Sequence, residues 1–443
     1  MSTQPARGMR DFLPEEVRRR QYVMGVIAEV YERYGFEPLE TPAAENIETL
    51  LGKYGEEGDK LIFKILRRGE REGTGEADLA LRYDLTVPLA RVVAEYRAKL
   101  PKFFKRYQVQ PVWRADRPQK GRFREFYQCD VDAIGSRSMA VEAELLAAAS
   151  DVFARLGFGD FVIRLNDRRV LNGLIDASGV PAELHDSALV ALDKLDKAGR
   201  DGVAAELSSR GVPAQAAATL LDCFGSMSAS GTNEEILAAY GRGLRGHEAG
   251  GQGLADLGQI LALSASTSAA GHIRLDPSLA RGLSYYTGAI MEINVPHLAG
   301  SLAGGGRYDN LIGMFLGEDV PACGISLGLE RILVVMGERN MFPPSAVAAP
   351  ADIMLTVWNA QRLGETLALA AMLRKAGLRV DVYPEADKIG KQFKYAASRG
   401  VPFVGVVGDD EQAKGVVAIK NLATGEQTPV PRDQVAEFVK AGR

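Results

Sequence analysis

The sequence predicts an α+β fold in which helices flank a mostly antiparallel sheet. Two strand-like runs, residues 103–114 and 122–134, are separated by a turn that contains Pro118 and Gly121, as in a β-hairpin. Residues 170–268 are rich in Ala, Leu, Ser and Gly and carry few strand signals, which predicts a helical insertion. Strand-like runs resume after this segment, so the insertion interrupts a single sheet domain.

A second, smaller domain is predicted at the C-terminal end. Three prolines between 343 and 350 mark a linker, and strand-like segments beyond it alternate with helical ones, as in βαβ units. The predicted boundaries are 1–169 and 269–338 for the two parts of the sheet domain, 170–268 for the insertion, 339–350 for the linker and 351–443 for the terminal α/β domain.

The N-terminal part carries its own helix and strand signals. Residues 14–34 have helical apolar spacing, with a proline in the first turn and a glycine after the last. A strand is expected over 36–41. Residues 79–87 alternate between apolar and polar side chains and are predicted as another strand. One face of that strand carries Arg82, Asp84 and Thr86.

Composition limits the class of protein. The 443 residues are 46% hydrophobic and 25% charged, with a formal net charge of −4, as in an ordinary globular enzyme. This balance gives no global electrostatic footprint for nucleic acid, so such a role must rest on local patches. Three separated cysteines and four histidines predict neither structural zinc nor a disulfide framework. No apolar run reaches bilayer length, so we expect a cytoplasmic protein without a membrane partner.

The hairpin carries the most informative side chains. By the period of two, its second strand presents on one face Arg122, Arg124, Phe126, Gln128, Asp130 and Asp132. Planar arginine forks suit phosphate oxygens, and an aromatic ring can stack on a base. A solvated strand face is the competing interpretation. A phenylalanine among the charges, on a strand without lysine, favours a nucleotide site, with ATP as the best candidate.

Four further motifs are candidates for chemistry. The face with Asp84 and Thr86 could bind an ammonium group, although a surface strand face is commoner. The run 281–286, Arg-Gly-Leu-Ser-Tyr-Tyr, could line a pocket for a polar ring and an anion, or its tyrosines could pack in a core. The glycines of 304–309 suggest close backbone approach to a ligand, without the Gly-Lys-Ser/Thr of a P-loop. The run 324–331 could lie against a flat ligand, or its Arg331 could be a surface residue.

In combination these motifs resemble a known family. Residues 114–116 and 122–130 resemble motif 2 of class II aminoacyl-tRNA synthetases, 324–331 resembles motif 3, and the first helix, leading to Pro42, resembles motif 1, the usual dimer interface. The stretches 81–88, 281–286 and 304–309 narrow the resemblance to histidyl-tRNA synthetases. It extends over nearly the whole chain and is weakest in the insertion.

The resemblance implies a fold, an activity and a set of site residues. The implied fold is a six- or seven-stranded antiparallel sheet flanked by helices, with a terminal anticodon-binding domain. The implied activity is ATP-dependent activation of L-histidine to the adenylate and transfer to its tRNA, with Mg²⁺ accompanying ATP and no metal ligand on the protein. The implied histidine-binding residues are Asp84, Leu85, Thr86, Arg114, Gln128, Asp132, Arg281, Tyr285 and Tyr286.

The same resemblance implies the nucleotide contacts. ATP would be held by Arg114, Asp116, Arg122, Phe126 and Arg331. Arg114 and Arg281 would be catalytic at the α-phosphate, where Arg281 would act as a fixed cation, a role that metals take in related enzymes. Arg117 and Gln119 match positions that can approach the tRNA acceptor end. Lys388, Lys391 and Lys394 could meet tRNA phosphates or could form a plain solvated face.

One departure from the family keeps an alternative open. Ser284 stands where the family usually has aspartate, which puts support of the tyrosine pair in doubt. The main prediction is a homodimeric ligase of histidine and tRNA. The alternative is a non-catalytic synthetase-like regulatory subunit of histidine biosynthesis, although such subunits typically lack the terminal domain. A synthetase for another small amino acid is disfavoured by the tyrosine pair.

Overall fold

The computed structural model describes residues 3–54, 58–67, 75–119, 121–227, 231–244, 246–281, 285–298, 300–347 and 349–442. The chain divides into two compact units, Met1–Phe342 and Pro343–Arg443. Each has its own apolar core. No helix in the described ranges combines the length and the apolar character that crossing a membrane requires.

The first unit is built on an eight-stranded sheet among its described residues. Its strands are β1 (Glu37–Pro38), β5 (Phe104–Trp113), β6 (Glu125–Ile134), β7 (Val162–Asp167), β8 (Ile273–Leu275), β9 (Ala289–Asn294), β10 (Ala303–Arg307) and β11 (Ala322–Gly328). The order across the sheet is β1-β5-β6-β11-β10-β9-β7-β8. Only the two edge pairs, β1 with β5 and β7 with β8, are parallel. The predicted α+β class is confirmed, with an antiparallel centre.

The predicted hairpin forms the core of this sheet. Strands β5 and β6 pair antiparallel over ten residues each, from Phe104 opposite Ile134 to Trp113 opposite Glu125. The second strand begins three residues later than predicted. Arg122 lies in the connecting loop, where it makes an isolated bridge with Gln119. The predicted strand over 36–41 is shorter in the structure and is reduced to β1.

A small three-stranded sheet is formed by the chain between β1 and β5. It comprises β2 (Ala44–Asn46), β3 (Lys64–Leu66) and β4 (Ala77–Leu81), in the order β2-β4-β3. The helices of this first part are α1 (Pro14–Arg33), α2 (Ile47–Leu50), α3 (Thr86–Tyr96) and α4 (Ala140–Arg155). Helix α1 matches its prediction, and its start is closed by the Glu16 carboxylate, which accepts from the backbone N–H of Leu13 at 3.2 Å.

The predicted strand over 79–87 is wrong in its second half. Strand β4 ends at Leu81, the chain turns, and α3 begins at Thr86. Arg82 and Asp84 of the supposed surface face are buried, and Thr86 is partly buried. Arg82 is satisfied by donating to backbone carbonyls of Thr41 and Pro111. Asp84 accepts from the backbone N–H of Val87 and so caps the first turn of α3.

The predicted insertion consists of helices joined by short turns, with no strand among its described residues. It contains α5 (Arg168–Ala177), α6 (His185–Leu192), α7 (Leu195–Ser209), α8 (Ala214–Ser226), α9 (Asn233–Leu244) and α10 (Glu248–Ser264). Helices α5 and α10 are joined by Arg169, which pairs with Asp167 and Asp256 at 2.7 Å. Asn233, the first residue of α9, exchanges hydrogen bonds with the backbone of β8. The insertion is therefore anchored on the edge of the main sheet.

The unit closes with α11 (Gly313–Leu316) and α12 (Leu329–Glu338). Helix α12 follows β11 directly, as predicted for 323–336.

The second unit has a mixed five-stranded sheet. Strands β12 (Ile353–Leu355), β13 (Val380–Val382) and β14 (Phe403–Val406) pair in parallel, close to the predicted positions. Two antiparallel strands that were not predicted follow, β15 (Val416–Asn421) and β16 (Gln427–Pro431). The helices are α13 (Leu363–Lys375), α14 (Ile389–Ser398), α15 (Asp409–Lys414) and α16 (Val435–Ala441).

Candidate active site

Two adjoining pockets lie against the centre of the main sheet. The outer pocket, of about 280 Å³, is lined by Arg114, Asp116, Gly121, Arg122, Phe123, Phe126, Gln128, Arg281, Ser301, Leu302, Ala303, Gly304, Ser326, Gly328, Glu330 and Arg331. The inner pocket, of about 80 Å³, is lined by Asp84, Thr86, Arg114, Gln128, Asp130, Asp132, Arg281, Tyr285, Tyr286, Gly304, Gly305, Tyr308, Gly324, Ile325 and Ser326. Arg114, Gln128 and Arg281 line both pockets, so they stand where the two meet.

The outer pocket is rich in arginine. Arg331 donates to the backbone carbonyl of Ser301 at 2.7 Å, and Arg122 pairs with Asp116 at 2.8 Å. Burial lowers the pKa of Arg331, and the neighbouring positive charge of Arg122 lowers it further. Two like charges that face one pocket are stabilised when an anion binds between them, so this end of the pocket suits a polyphosphate.

The other acid of the outer pocket is already engaged. The Glu330 carboxylate accepts from Arg20 at 2.8 Å and from the backbone N–H of Tyr127 at 3.0 Å. Glu330 is thus paired with an arginine that does not line the pocket, whereas Asp116 offsets part of the charge of Arg122.

An aromatic ring is placed beside these charges. Phe126 lies half-buried on β6, with the Arg114 guanidinium carbon 5.1 Å from the centre of its ring. The same guanidinium lies 4.3 Å from the Tyr83 ring and donates through Nε to the Tyr83 carbonyl at 3.1 Å. These contacts fix Arg114 at the junction of the pockets and leave a planar surface for a stacked base.

The inner pocket contains a carboxylate with an unused acceptor. Asp84 is buried, and its Oδ1 accepts from the Tyr54 hydroxyl and the Val87 backbone N–H, both at 3.0 Å. Its Oδ2 is buried and has no hydrogen-bond partner among the described residues. Burial raises the pKa of Asp84, while hydrogen bonding and Arg114 partly oppose the rise. A cationic ligand group in this pocket would satisfy that oxygen.

Strand β6 supplies three more polar groups to the pocket floor. Gln128 donates to the Ser326 hydroxyl at 2.8 Å, while its buried Oε1 has no partner among the described residues. Asp132 pairs with the buried Arg106 at 2.8 Å. Burial raises the pKa of Asp130 to about 7, Arg106 opposes the rise and the negative charge of Asp132 adds to it. The floor thus offers both donors and acceptors to a polar ligand.

The position of Arg281 depends on an acidic residue, Glu292, and on a glycine, Gly304. Its Nη1 lies 3.1 Å from the Glu292 carboxylate on β9. It lies over Gly304 of β10, where a Cβ would collide with the guanidinium. Its guanidinium carbon is 5.5 Å from the centre of the Tyr286 ring. The glycine of β10 therefore makes room for an arginine at the floor of both pockets.

The tyrosine pair lies in the inner pocket, as its motif suggested. The rings of Tyr285 and Tyr286 are 4.8 Å apart, and the Tyr308 ring is 6.2 Å from that of Tyr285. The Tyr308 hydroxyl donates to Asp132. Ser284 lies outside the described residues.

The structure brings together all but one of the predicted site residues. Leu85 is fully buried and lines neither pocket, although its carbonyl accepts from Arg106 at 3.4 Å. The predicted binding residues did not include Asp130, Ser326 and Tyr308, which also line the inner pocket. The period of two places Asp130 on the same strand face as Gln128, and that was the signal for including it.

Comparisons with known proteins show the family of this chain. The family model described as "Histidyl-tRNA synthetase" matches residues 8–332, and "Anticodon binding domain" matches 352–442. The chain belongs to the histidyl-tRNA synthetase family. The activity that follows is ATP-dependent ligation of histidine to tRNA by a class II synthetase.

Curated relatives match from end to end. The chain is 41% identical to "Histidine--tRNA ligase" of Phocaeicola vulgatus, with 98% of both chains covered. It is 43% identical to the protein of the same description from Porphyromonas gingivalis, with 96% of both covered. The crystal structure of histidyl-tRNA synthetase from Nostoc sp. PCC 7120 superposes with a TM-score of 0.83 at 31% identity, covering 100% of both chains.

The non-catalytic alternative has less support. A structure from Bacillus halodurans C, described as an ATP phosphoribosyltransferase regulatory subunit/histidyl-tRNA synthetase, has a TM-score of 0.72 at 23% identity, which is a likeness of fold alone. It covers 90% of this chain and 96% of that one. The ligase relatives match nearly the whole chain, at higher identity.

Proposed function

We propose that the outer pocket binds ATP and the inner pocket binds histidine, with Arg114 and Arg281 acting on the α-phosphate where the pockets meet. The observation that carries the proposal is that both arginines line both pockets. A carboxylate attacking the α-phosphorus must come from one side of that junction, and pyrophosphate must leave toward the other.

The nucleotide contacts are assigned by position in the outer pocket. Phe126 stacks on adenine, Arg122 and Arg331 hold the terminal phosphates, and Asp116 orients Arg122 through their ion pair. Negative charge grows on the non-bridging oxygens in the transition state. Preorganised guanidinium groups stabilise the transition state more than they stabilise the ground state, which lowers the activation barrier.

Histidine is assigned to the inner pocket by the chemistry of its walls. Asp84 and Thr86 receive the α-ammonium, because the free Oδ2 of Asp84 needs a cationic donor. Gln128, Asp132 and the two tyrosines surround the ring. A neutral imidazole has one donor and one acceptor, so a carboxylate and a hydroxyl can match both.

Magnesium is proposed to enter with ATP. The outer-pocket acids Asp116 and Glu330 are both paired with arginine. Within the described residues no group of three or more His, Cys, Asp or Glu side chains is placed to hold a metal ion. A Mg²⁺ ion would therefore rely on phosphate oxygens and water, and would add positive charge to the leaving pyrophosphate.

Two surfaces are proposed for tRNA. Arg117, Pro118 and Gln119 line a groove in the hairpin loop that shares Asp116 and Arg122 with the outer pocket, and the acceptor end can approach there. In the second unit Lys388, Lys391 and Lys394 are exposed, and Lys391 is paired with Asp387 at 3.1 Å. Exposed lysines on one helix can contact phosphates without reading sequence.

The assembly and location are proposed from the family. The protein is proposed to be a homodimer that uses α1 and the chain leading to Pro42, and to act in the cytoplasm.

The residue assignment is tested by ATP–pyrophosphate exchange. Exchange is expected with histidine and not with other amino acids. Arg281→Ala is expected to lower kcat by roughly 100-fold or more, because it removes a preorganised charge from the transition state. The control is Arg155→Ala, which removes an arginine on α4 outside both pockets. Near-normal exchange by the Arg281 variant would overturn the assignment.

A further inference from the structure

Arg281 is held in an unusual backbone conformation. Its φ is +51°, in the left-handed region that residues other than glycine rarely adopt. Such a conformation persists only when surrounding contacts determine it. The side-chain contacts of Arg281 with Glu292 and Tyr286 act at the guanidinium, so another group must fix its backbone.

Arg168, the first residue of helix α5, contacts that backbone. Its Nη1 donates to the backbone carbonyl of Arg281 at 3.0 Å. Arg168 is only 7% exposed, so most of its guanidinium is removed from water and depends on protein acceptors such as this carbonyl. Its Nη2 lies 3.6 Å from Asp186 of α6. The side chain thus joins the carbonyl of a pocket residue to the first two helices of the insertion.

Asn166 holds the preceding part of the same loop. Its Nδ2 donates to the Leu279 carbonyl at 3.0 Å, and its Oδ1 accepts from the Tyr240 hydroxyl at 3.0 Å. Both Asn166 and Tyr240 are fully buried, and Tyr240 belongs to α9 of the insertion. The segment between β8 and Arg281 is therefore held by hydrogen bonds at two points to the junction of β7 with the insertion.

We propose that Arg168 is a positioning residue for Arg281, and that through it the helical insertion controls the rate of histidine activation. This rests on the proposed role of Arg281 at the α-phosphate. Arg168 lines neither pocket, so it acts only through the backbone it holds. When that backbone relaxes, the guanidinium leaves the place where charge develops, while most ground-state interactions of ATP and histidine stay.

The test is a comparison of Arg168→Met with Arg169→Met in histidine-dependent ATP–pyrophosphate exchange. Methionine keeps much of the length of the side chain and removes its donors. Arg168→Met is expected to lower kcat roughly 10- to 100-fold, with the KM values for ATP and histidine nearly unchanged. Arg169→Met is the matched control, since Arg169 joins α5 to α10 without touching Arg281. It is expected to lower the melting temperature and leave kcat near that of the parent.

Two further variants separate positioning from general damage. Arg168→Lys can still donate to the carbonyl and is expected to recover part of kcat. Tyr240→Phe removes one hydroxyl that holds Asn166 and is expected to lower kcat in the same direction by a smaller factor. Should Arg168→Met fold poorly, these two variants carry the test.

A double-mutant cycle tests whether Arg168→Met lowers kcat through Arg281. In the Arg281→Ala background, Arg168→Met is expected to cause no further loss of kcat, because its only path is through Arg281. Additive losses, or equal losses from Arg168→Met and Arg169→Met, overturn the proposal. If Arg281→Ala itself leaves exchange intact, the proposed function fails instead, and the two failures are told apart.

Discussion

Asp130 shows how one buried residue of the inner pocket responds to its surroundings. Its carboxyl is 2% exposed, and its neighbour Asp132 takes the closer ion pair with Arg106, at 2.8 Å against 3.9 Å. Burial therefore raises the pKa of Asp130 to about 7, against roughly 3.9 in an unfolded chain. Between these two pKa values the Asp130 carboxyl is protonated in the folded protein and ionised in the unfolded chain.

A pH-dependent stability follows from this residue. Between about pH 4 and 7 the folded state binds more protons than the unfolded state, so the contribution of Asp130 to stability is lost as pH rises through this window. Asp130→Asn replaces a carboxylate that is charged and buried at pH 8 with a neutral amide. The variant is expected to raise the melting temperature at pH 8 by roughly 2 °C or more beyond its effect at pH 5.

The measurement is thermal unfolding of parent and variant at both pH values. Asp176→Asn, at an exposed position on α5, removes the same formal charge and serves as the control. A gain that is equal at the two pH values, or larger at pH 5, would contradict the account.

At the scale of elements, strand β10 shows why glycine is required in the middle of a sheet. A Cβ at Gly304 would meet the terminal atoms of Arg281, whereas a Cβ at Gly305 would meet the backbone carbonyl of Gly324 on the next strand. The Arg281 guanidinium is the end of a flexible side chain and can move, whereas the Gly324 carbonyl is fixed in the sheet. Substitution at the two positions should therefore have different consequences.

Gly304→Ala is expected to displace the Arg281 guanidinium, lowering kcat for histidine-dependent exchange by roughly tenfold or more with a small change in melting temperature. Gly305→Ala is expected to lower the melting temperature clearly, since β10 and β11 must separate. Exchange kinetics and thermal unfolding of both variants check this. Loss of stability without loss of kcat in Gly304→Ala would count against the role assigned to the strand.

The hairpin β5–β6 could be predicted from sequence because its side chains alternate along strands whose two faces have different surroundings. Alternation failed at residues 79–87, where the same pattern spans a strand end, a turn and a helix start. The Asp84 cap and the proline at 88 were local signals of that helix start.

Other parts of the site could not be predicted from any local pattern. Arg168 and Arg281 are 113 residues apart, and the helical insertion separates them in the chain. The resemblance to a family named the residues that are proposed to contact ligands. It did not name those that position them, because a positioning contact is visible only once both segments have folded.

At the scale of the whole molecule, the two units match different family models, residues 8–332 and 352–442. Both candidate pockets lie in the first unit, and the apolar core of that unit is formed by its own residues. The second unit has separate cores and matches the anticodon-binding family model. Chemistry on ATP and histidine should therefore need only the first unit, while ligation to tRNA should need both.

A chain ending at Phe342 tests this division, because that residue ends the first unit. The shortened chain is expected to keep histidine-dependent ATP–pyrophosphate exchange within roughly tenfold of the full chain, since no pocket residue is removed. Its kcat/KM for charging tRNA is expected to fall by roughly 100-fold or more, because the shortened chain can no longer bind a part of the tRNA that is remote from the reacting end. Circular dichroism and thermal unfolding of the shortened chain control for folding. Equal losses of exchange and charging in a well-folded shortened chain would mean that the second unit acts on the chemistry of activation and not on tRNA alone.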